Sequence, residues 1–120
     1  MYIAPGLGYH AYEGVALDTA ERDRIAKDLD ARHSLILRNH GTLMCGRTVA
    51  DAFLLAYILE RACEVQVRPQ SGGGELVTVP DDIARAVYAA GRTAMRDAGG
   101  AVAWPGLLRK LDRVDPSWQT

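Results

Sequence analysis

Three histidines, His10, His33 and His40, are the side chains of this chain best suited to hold a metal or move a proton near neutral pH. His40 is the most suggestively placed. It lies within Leu35-Ile36-Leu37-Arg38-Asn39-His40-Gly41-Thr42-Leu43-Met44-Cys45-Gly46, which reads as two short apolar strands joined by a three-residue turn, Asn39-His40-Gly41. Gly41 can take the positive φ that such a turn often needs, and Asn39 tolerates turn geometry well. A hairpin tip held by buried strands is a good mount for a ligand. It is also an ordinary place for a solvated imidazole, and the turn alone favours that plainer reading. No two histidines share a local metal-ligand spacing such as His-X-His or HExxH. His33, at a strand entrance, reads as structural or solvated, and so does His10 beside aromatics and Glu13.

Other chemistry-bearing residues carry less. Glu60 and Glu64 lie one helical turn apart with Arg61 between them, which reads as a solvated helix edge. Gly72-Gly73-Gly74 lacks the Lys and Ser/Thr that phosphate cradling needs, so it reads as a surface turn. No G-x-S-x-G, P-loop or dinucleotide fingerprint occurs. Cys45 and Cys63 match neither a CxxC pair nor a zinc-finger spacing and read as small buried apolar side chains in a reducing cytoplasm.

The elements that must position these residues follow from caps and periodicity. The segment Tyr9-His10-Ala11-Tyr12-Glu13-Gly14-Val15 reads as a strand or an irregular lead-in, and the first seventeen residues resemble mid-domain sequence more than a domain start. Asp18 with Glu21 forms a capping-box pattern for a helix running to about Leu29, whose thin apolar face (Ile25, Ala26, Leu29) predicts one wet side. After the hairpin, Thr48 caps a helix from Val49 to about Val67, with Asp51 at N3 and a stripe of Val49, Ala52, Phe53, Ala56, Leu59, Cys63 and Val67. Leu54, Leu55, Tyr57 and Ile58 add apolar surface on its other faces, so more than one side is expected to be covered, the second by another subunit. Leu76-Val77-Thr78-Val79 reads as a short extended segment. Pro80-Asp81-Asp82 opens a helix with a stripe of Ile83, Val87, Ala90, Gly91, Ala94 and Ala98, stopped by Gly99-Gly100. A short amphipathic helix from Trp104 to Leu111 and an Asp115-Pro116-Ser117-Trp118 close complete the chain.

At 120 residues the chain suits one domain, with 48% apolar and 24% charged residues. The net charge of −1, with Lys and Arg scattered singly, gives no electrostatic case for nucleic acid or an anionic membrane. No apolar run is long enough to span a bilayer, and Met1-Tyr2-Ile3-Ala4-Pro5-Gly6 does not read as a secretory signal.

The segments Tyr12-Glu13-Gly14, Leu37-Arg38-Asn39-His40-Gly41-Thr42, Gly46-Arg47-Thr48-Val49-Ala50-Asp51-Ala52-Phe53 and Leu59-Glu60-Arg61-Ala62-Cys63-Glu64-Val65-Gln66 together resemble the class II aldolase/adducin family. The run from Leu37 to Gln66 is the most specific part. Trp104-Pro105, Leu107-Leu108-Arg109-Lys110-Leu111-Asp112 and Asp115-Pro116 are similar to that family's C-terminal end. The resemblance covers nearly all of the chain but only the later half of the family domain, so residues 1–120 are expected to be the C-terminal part of one such domain.

The resemblance implies an α/β fold, a three-layer α/β/α sandwich around a mostly antiparallel sheet, here incomplete, and assembly as a homotetramer. It implies a divalent metal, zinc above all, held by three histidines: two from a His-X-His in the first half and the third from the Asn-His-Gly turn. By that match His40 is the third metal ligand. The family metal acts as a Lewis acid that stabilises an enediolate as a carbon–carbon bond of a sugar or sugar phosphate breaks, while an acidic residue of the first half moves the proton. The His-X-His, that acid and the phosphate-binding loops are not in this sequence. One histidine does not hold a catalytic metal, so the chain is expected to be inactive alone and to supply no catalytic residue beyond the ligand. The implied function is part of a cytoplasmic aldehyde-lyase of carbohydrate metabolism. Epimerases, dehydratases and decarboxylases share the same site, and a non-catalytic adducin-like interaction module is the competing class. The expected partner is a second copy or a missing N-terminal half, reached through the apolar helix around Phe53 to Leu59.

Overall fold

The computed structural model describes residues 6–14 and 18–119, with the side chains of 94–98 outside that description. Val15 of the lead-in, and Ala94 and Ala98 of the expected helix stripe, therefore fall outside the described residues. Strand β1 (Leu7–His10) leads into helix α1 (Glu21–Leu29), which returns the chain to strand β2 (Ser34–Leu37) alongside β1. Strand β3 (Gly41–Met44) folds back on β2, and helices α2 (Val49–Ser71) and α3 (Asp81–Val114) follow, with a 3-10 turn at Pro116–Gln119.

The sheet order is β1-β2-β3. β1 and β2 are parallel, with His10 opposite Leu37, and β2 and β3 are antiparallel, with Leu37 opposite Gly41. A parallel pair requires a crossover, and α1 supplies it, packed on β1 and β2. Leu35, in the middle strand, is fully buried. Its side chain fills the space beside Gly8, where an added Cβ would come within 2.5 Å of Leu35 Cδ2 and 3.1 Å of the Asp28 carbonyl oxygen. That absent side chain is what lets α1 approach β1 closely.

The hairpin forms as expected, but its turn spans Arg38, Asn39 and His40, one residue earlier than Asn39-His40-Gly41, and is closed by the His40 N–H donating to the Leu37 carbonyl at 3.0 Å. The positive φ falls on Asn39, at 55°, rather than on Gly41. Asn is one of the few side-chain-bearing residues that tolerates the left-handed region, because its short amide makes local hydrogen bonds. Gly41 is then free to begin β3.

Thr48 caps α2 as its sequence predicts, its hydroxyl accepting the Asp51 N–H at 3.1 Å. Asp51 does more than face the helix dipole. Its Oδ1 accepts the Gly100 N–H at 2.9 Å, which ties the start of α2 to the point where α3 breaks. The break is at Gly99, with φ 25° and ψ −147°, so the double glycine interrupts α3 into two arms as expected. At Gly100 an added Cβ would lie 2.1 Å from the Ala50 carbonyl, so only glycine permits this crossing.

The expected apolar stripe is met in part on α2, where Ala52, Ala56, Leu59 and Cys63 are covered, and is out of phase on α3. On α2 the buried residue is Leu59, while Val49, Phe53 and Val67 are exposed. The helix covers Ala52, Leu55, Ala56, Leu59, Ala62 and Cys63 and leaves Val49, Phe53 and Tyr57 as a largely exposed apolar row, Phe53 packing edge-on against Trp104 of α3 at 5.6 Å. On α3 the inward residues are Ala84 and Tyr88, one position after the expected Ile83 and Val87, which are half exposed. A helix that is apolar around much of its girth fixes no single face by periodicity, so its packing partners choose. Asp18 does not cap α1 directly. Its Oδ1 accepts the Ala20 N–H at 2.9 Å in a turn just before the helix, and the residue at the cap position, Ala20, has no capping side chain. Leu76–Val79 pairs with no strand. Cys45 is exposed rather than buried, because it lies just past the end of β3, and both cysteines are free thiols.

Candidate functional site

The carboxyl ends of the parallel strands β1 and β2 lie side by side, the place where ligands gather in α/β sheets. His10 ends β1. One residue beyond the end of β2 the Arg38 N–H donates to the His10 carbonyl at 3.0 Å, which draws the hairpin turn to that end. A small depression is lined there by His10, Tyr12, Glu13, Glu21, Arg38 and His40. Its interior of about 20 Å³ accommodates a water molecule or an ion but not a sugar.

His40 sits where the sequence places it, on the tip between β2 and β3. It is exposed and faces the depression's rim. The turn backbone is fixed by Asn39 in the left-handed region and by the hydrogen bond to Leu37. Arg38 leans over the Tyr9 ring at 4.9 Å, a cation–π contact on the neighbouring strand. His33 precedes β2, half-buried, and its carbonyl accepts the Cys45 N–H at 2.9 Å, a structural role. Glu64 pairs with Arg61 at 2.6 Å and with Arg68, as a helix edge does.

His10 departs from its expected character. Its side chain is 4% exposed and enclosed by carboxylates that come from elsewhere in the chain. Its Nδ1 lies 2.8 Å from Asp28 Oδ2. A carboxylate can only accept, so Nδ1 carries a proton, and this bond turns Nε2 toward the other side of the ring. That Nε2 is buried and has no hydrogen-bond partner. It stands 3.6 Å from Glu21 Oε1 and 3.9 Å from Glu13 Oε1. The Glu13 carboxylate is gripped by Arg24, whose Nε lies 3.0 Å from both of its oxygens. That hydrogen bond holds the Glu13 carboxyl below its ordinary 4.5, so it is ionised at neutral pH.

Sequence reading missed Glu13, Glu21 and Asp28 as partners of His10. Glu21 was absorbed by the capping-box pattern, and the polar side of α1 was read as wet. One signal was present: Glu21 and Asp28 are seven residues apart, two helical turns, and so project from one face of α1.

Comparisons with known proteins agree on the family of the chain. The family model described as the class II aldolase and adducin N-terminal domain matches residues 1–67. The chain belongs to the class II aldolase and adducin family. A Pseudomonas aeruginosa protein named for the class 2 aldolases is 48% identical over 99% of this chain and 47% of its own length. The alpha-adducin of Rattus norvegicus is 41% identical over 57% of this chain and 9% of its own length. The crystal structure of an aldolase II superfamily protein from Pseudomonas syringae superposes with a TM-score of 0.83 at 38% identity, covering 94% of this chain and 45% of that one. The chain thus spans about half the length of the relatives it matches most extensively, and its sheet and helices are an incomplete aldolase II fold. No helix among the described residues is long and apolar enough to cross a membrane.

Among the described residues, the imidazole that the resemblance assigns to the family metal, that of His40, stands alone on an exposed turn. His40 is not among the described donors close enough to share an ion, which are His10, Glu13 and Glu21. A lone exposed imidazole does not hold a catalytic ion. His40 by itself therefore does not make the family centre.

Proposed function

We propose that residues 1–120 are the C-terminal part of one class II aldolase-type domain that contributes His40 as a ligand to a divalent metal, zinc, whose other ligands lie outside this chain. The activity is carbon–carbon cleavage of a sugar, sugar phosphate or related hydroxy-carbonyl compound in the cytoplasm, and this chain alone does not catalyse it. The observation that supports this reading is the exposed imidazole on a rigid turn at the carboxyl end of the sheet. It is exposed, and its ring makes no hydrogen bond or ion pair with the described residues.

The decisive experiment joins this chain to the coding sequence immediately upstream. A His-X-His encoded there, and aldol cleavage by the longer protein that is lost in His40→Ala, supports the reading. Full activity in His40→Ala removes it.

An adducin-like interaction module is the second reading. The outer row of Val49, Phe53 and Tyr57 on α2 favours it, because an apolar row of this kind suits a docking face. The same row serves a homotetramer interface in the lyase reading, so the upstream ligands, not the row, separate the two.

A further inference from the structure

Two carboxylates near a buried imidazole usually indicate a charged pair. Here the geometry is wrong for hydrogen bonds from Nε2, since 3.6 and 3.9 Å exceed the N–H···O range of about 2.7–3.2 Å. It is close to what a cation needs. Donors about 2.1 Å from a tetrahedral ion stand about 3.4 Å from one another. The ligand atoms of His10, Glu13 and Glu21 all lie within 4.8 Å of one another. We propose that His10 Nε2, Glu13 and Glu21 form a divalent-cation site within this chain, separate from the His40 position.

Three observations carry it. First, Nε2 is buried, unpartnered and directed at two carboxylates. Two carboxylate oxygens at 3.6 and 3.9 Å, too far to accept a hydrogen bond from Nε2, leave a gap that a cation bridging all three atoms would fill. Second, the Nδ1–Asp28 hydrogen bond is the carboxylate–histidine support that metal-ligating imidazoles use to fix tautomer and ring orientation. Third, Arg24 orients Glu13 from behind, as outer hydrogen bonds orient ligating carboxylates. One imidazole and two carboxylates suit Mn²⁺ or Zn²⁺ rather than a soft ion. The depression's outer wall, with His40 on it, provides the entry path. The site does not depend on the reading of His40 as a ligand.

The test is calorimetric titration of the full chain with MnCl₂, which avoids competition from the free thiols. The expected result is one Mn²⁺ per chain, equal binding in His40→Ala, no detectable binding in His10→Gln or Glu21→Gln, and about 10- to 100-fold weaker binding in Asp28→Asn. Far-UV circular dichroism shows that each variant is folded, and Glu21→Gln carries the test if His10→Gln is not. Absence of binding by the unmodified chain overturns the proposal, with Nε2 then occupied by a proton. Binding that survives in folded Glu21→Gln, or that disappears in His40→Ala, also overturns it. The lyase reading stands or falls separately, on the activity of the longer protein.

Discussion

Asp28 Oδ2 lies 2.8 Å from His10 Nδ1 across eighteen residues of chain, joining the last turn of α1 to the end of β1. Because His10 is buried, removing the acceptor strands an N–H where water does not reach it readily. Asp28→Ala is therefore expected to destabilise the chain by about 1–3 kcal/mol. Asp28→Asn, which keeps an acceptor oxygen, costs less. Urea midpoints of the two variants check the order.

Asp51 serves two helices, standing in the first turn of α2 and accepting the Gly100 N–H where α3 resumes after its break. Asp51→Ala removes that bond and the charge at the helix start, for an expected loss of about 1–2 kcal/mol. Asp51→Asn retains the acceptor and loses only a fraction of that. Equal losses in the two variants, measured by chemical denaturation, would contradict the dual role.

Much of this was legible in the chain because it is local. The Thr48 cap, the hairpin turn around Asn39 and His40 and the Gly99-Gly100 break each depend on residues within a few positions of one another. The helix stripes were only partly legible, for a different reason. Val49 through Leu59 offers apolar residues on nearly every face, so the contacts with β3 and α3, not the spacing, decide which face turns inward. The His10 cluster was not readable because its members meet only once α1 crosses between two parallel strands. Nothing adjacent to His10 except Glu13 announces that partnership.

The outer row of α2 bears on assembly. Leu55 and Ile58 are half-buried within the chain, so charging them would disturb folding as well as any interface. Tyr57 is 56% exposed and offers a cleaner probe. If a second copy covers this face, Tyr57→Asp lowers the solution mass measured by light scattering while leaving the circular dichroism spectrum unchanged. An unchanged mass contradicts the interface.

Acid stability is expected to follow Arg24. Its guanidinium bonds Glu13 and Asp18. Glu13 is held below its ordinary 4.5 chiefly by the Arg24 hydrogen bond, and Asp18 below its 3.8 by the Ala20 N–H and then by Arg24. Depressed carboxylates contribute stability that is present above their unfolded values and lost as pH falls through the folded ones. Arg24→Gln should therefore be less stable than the unmodified chain at neutral pH, with the gap closing below about pH 4. Because these groups face solvent, added salt should narrow the gap as well. A gap that widens in acid contradicts the assignment.

The most direct measurement is the ¹⁵N imidazole spectrum of the full chain, with Cys45→Ser and Cys63→Ser in place, recorded before and after one equivalent of Zn²⁺. Only three histidines contribute, so each is separable. The account predicts that His10 begins as the Nδ1–H tautomer and that its Nε2 signal moves to a metal-coordinated position, with His33 unchanged. A His10 that is doubly protonated and indifferent to Zn²⁺ contradicts it.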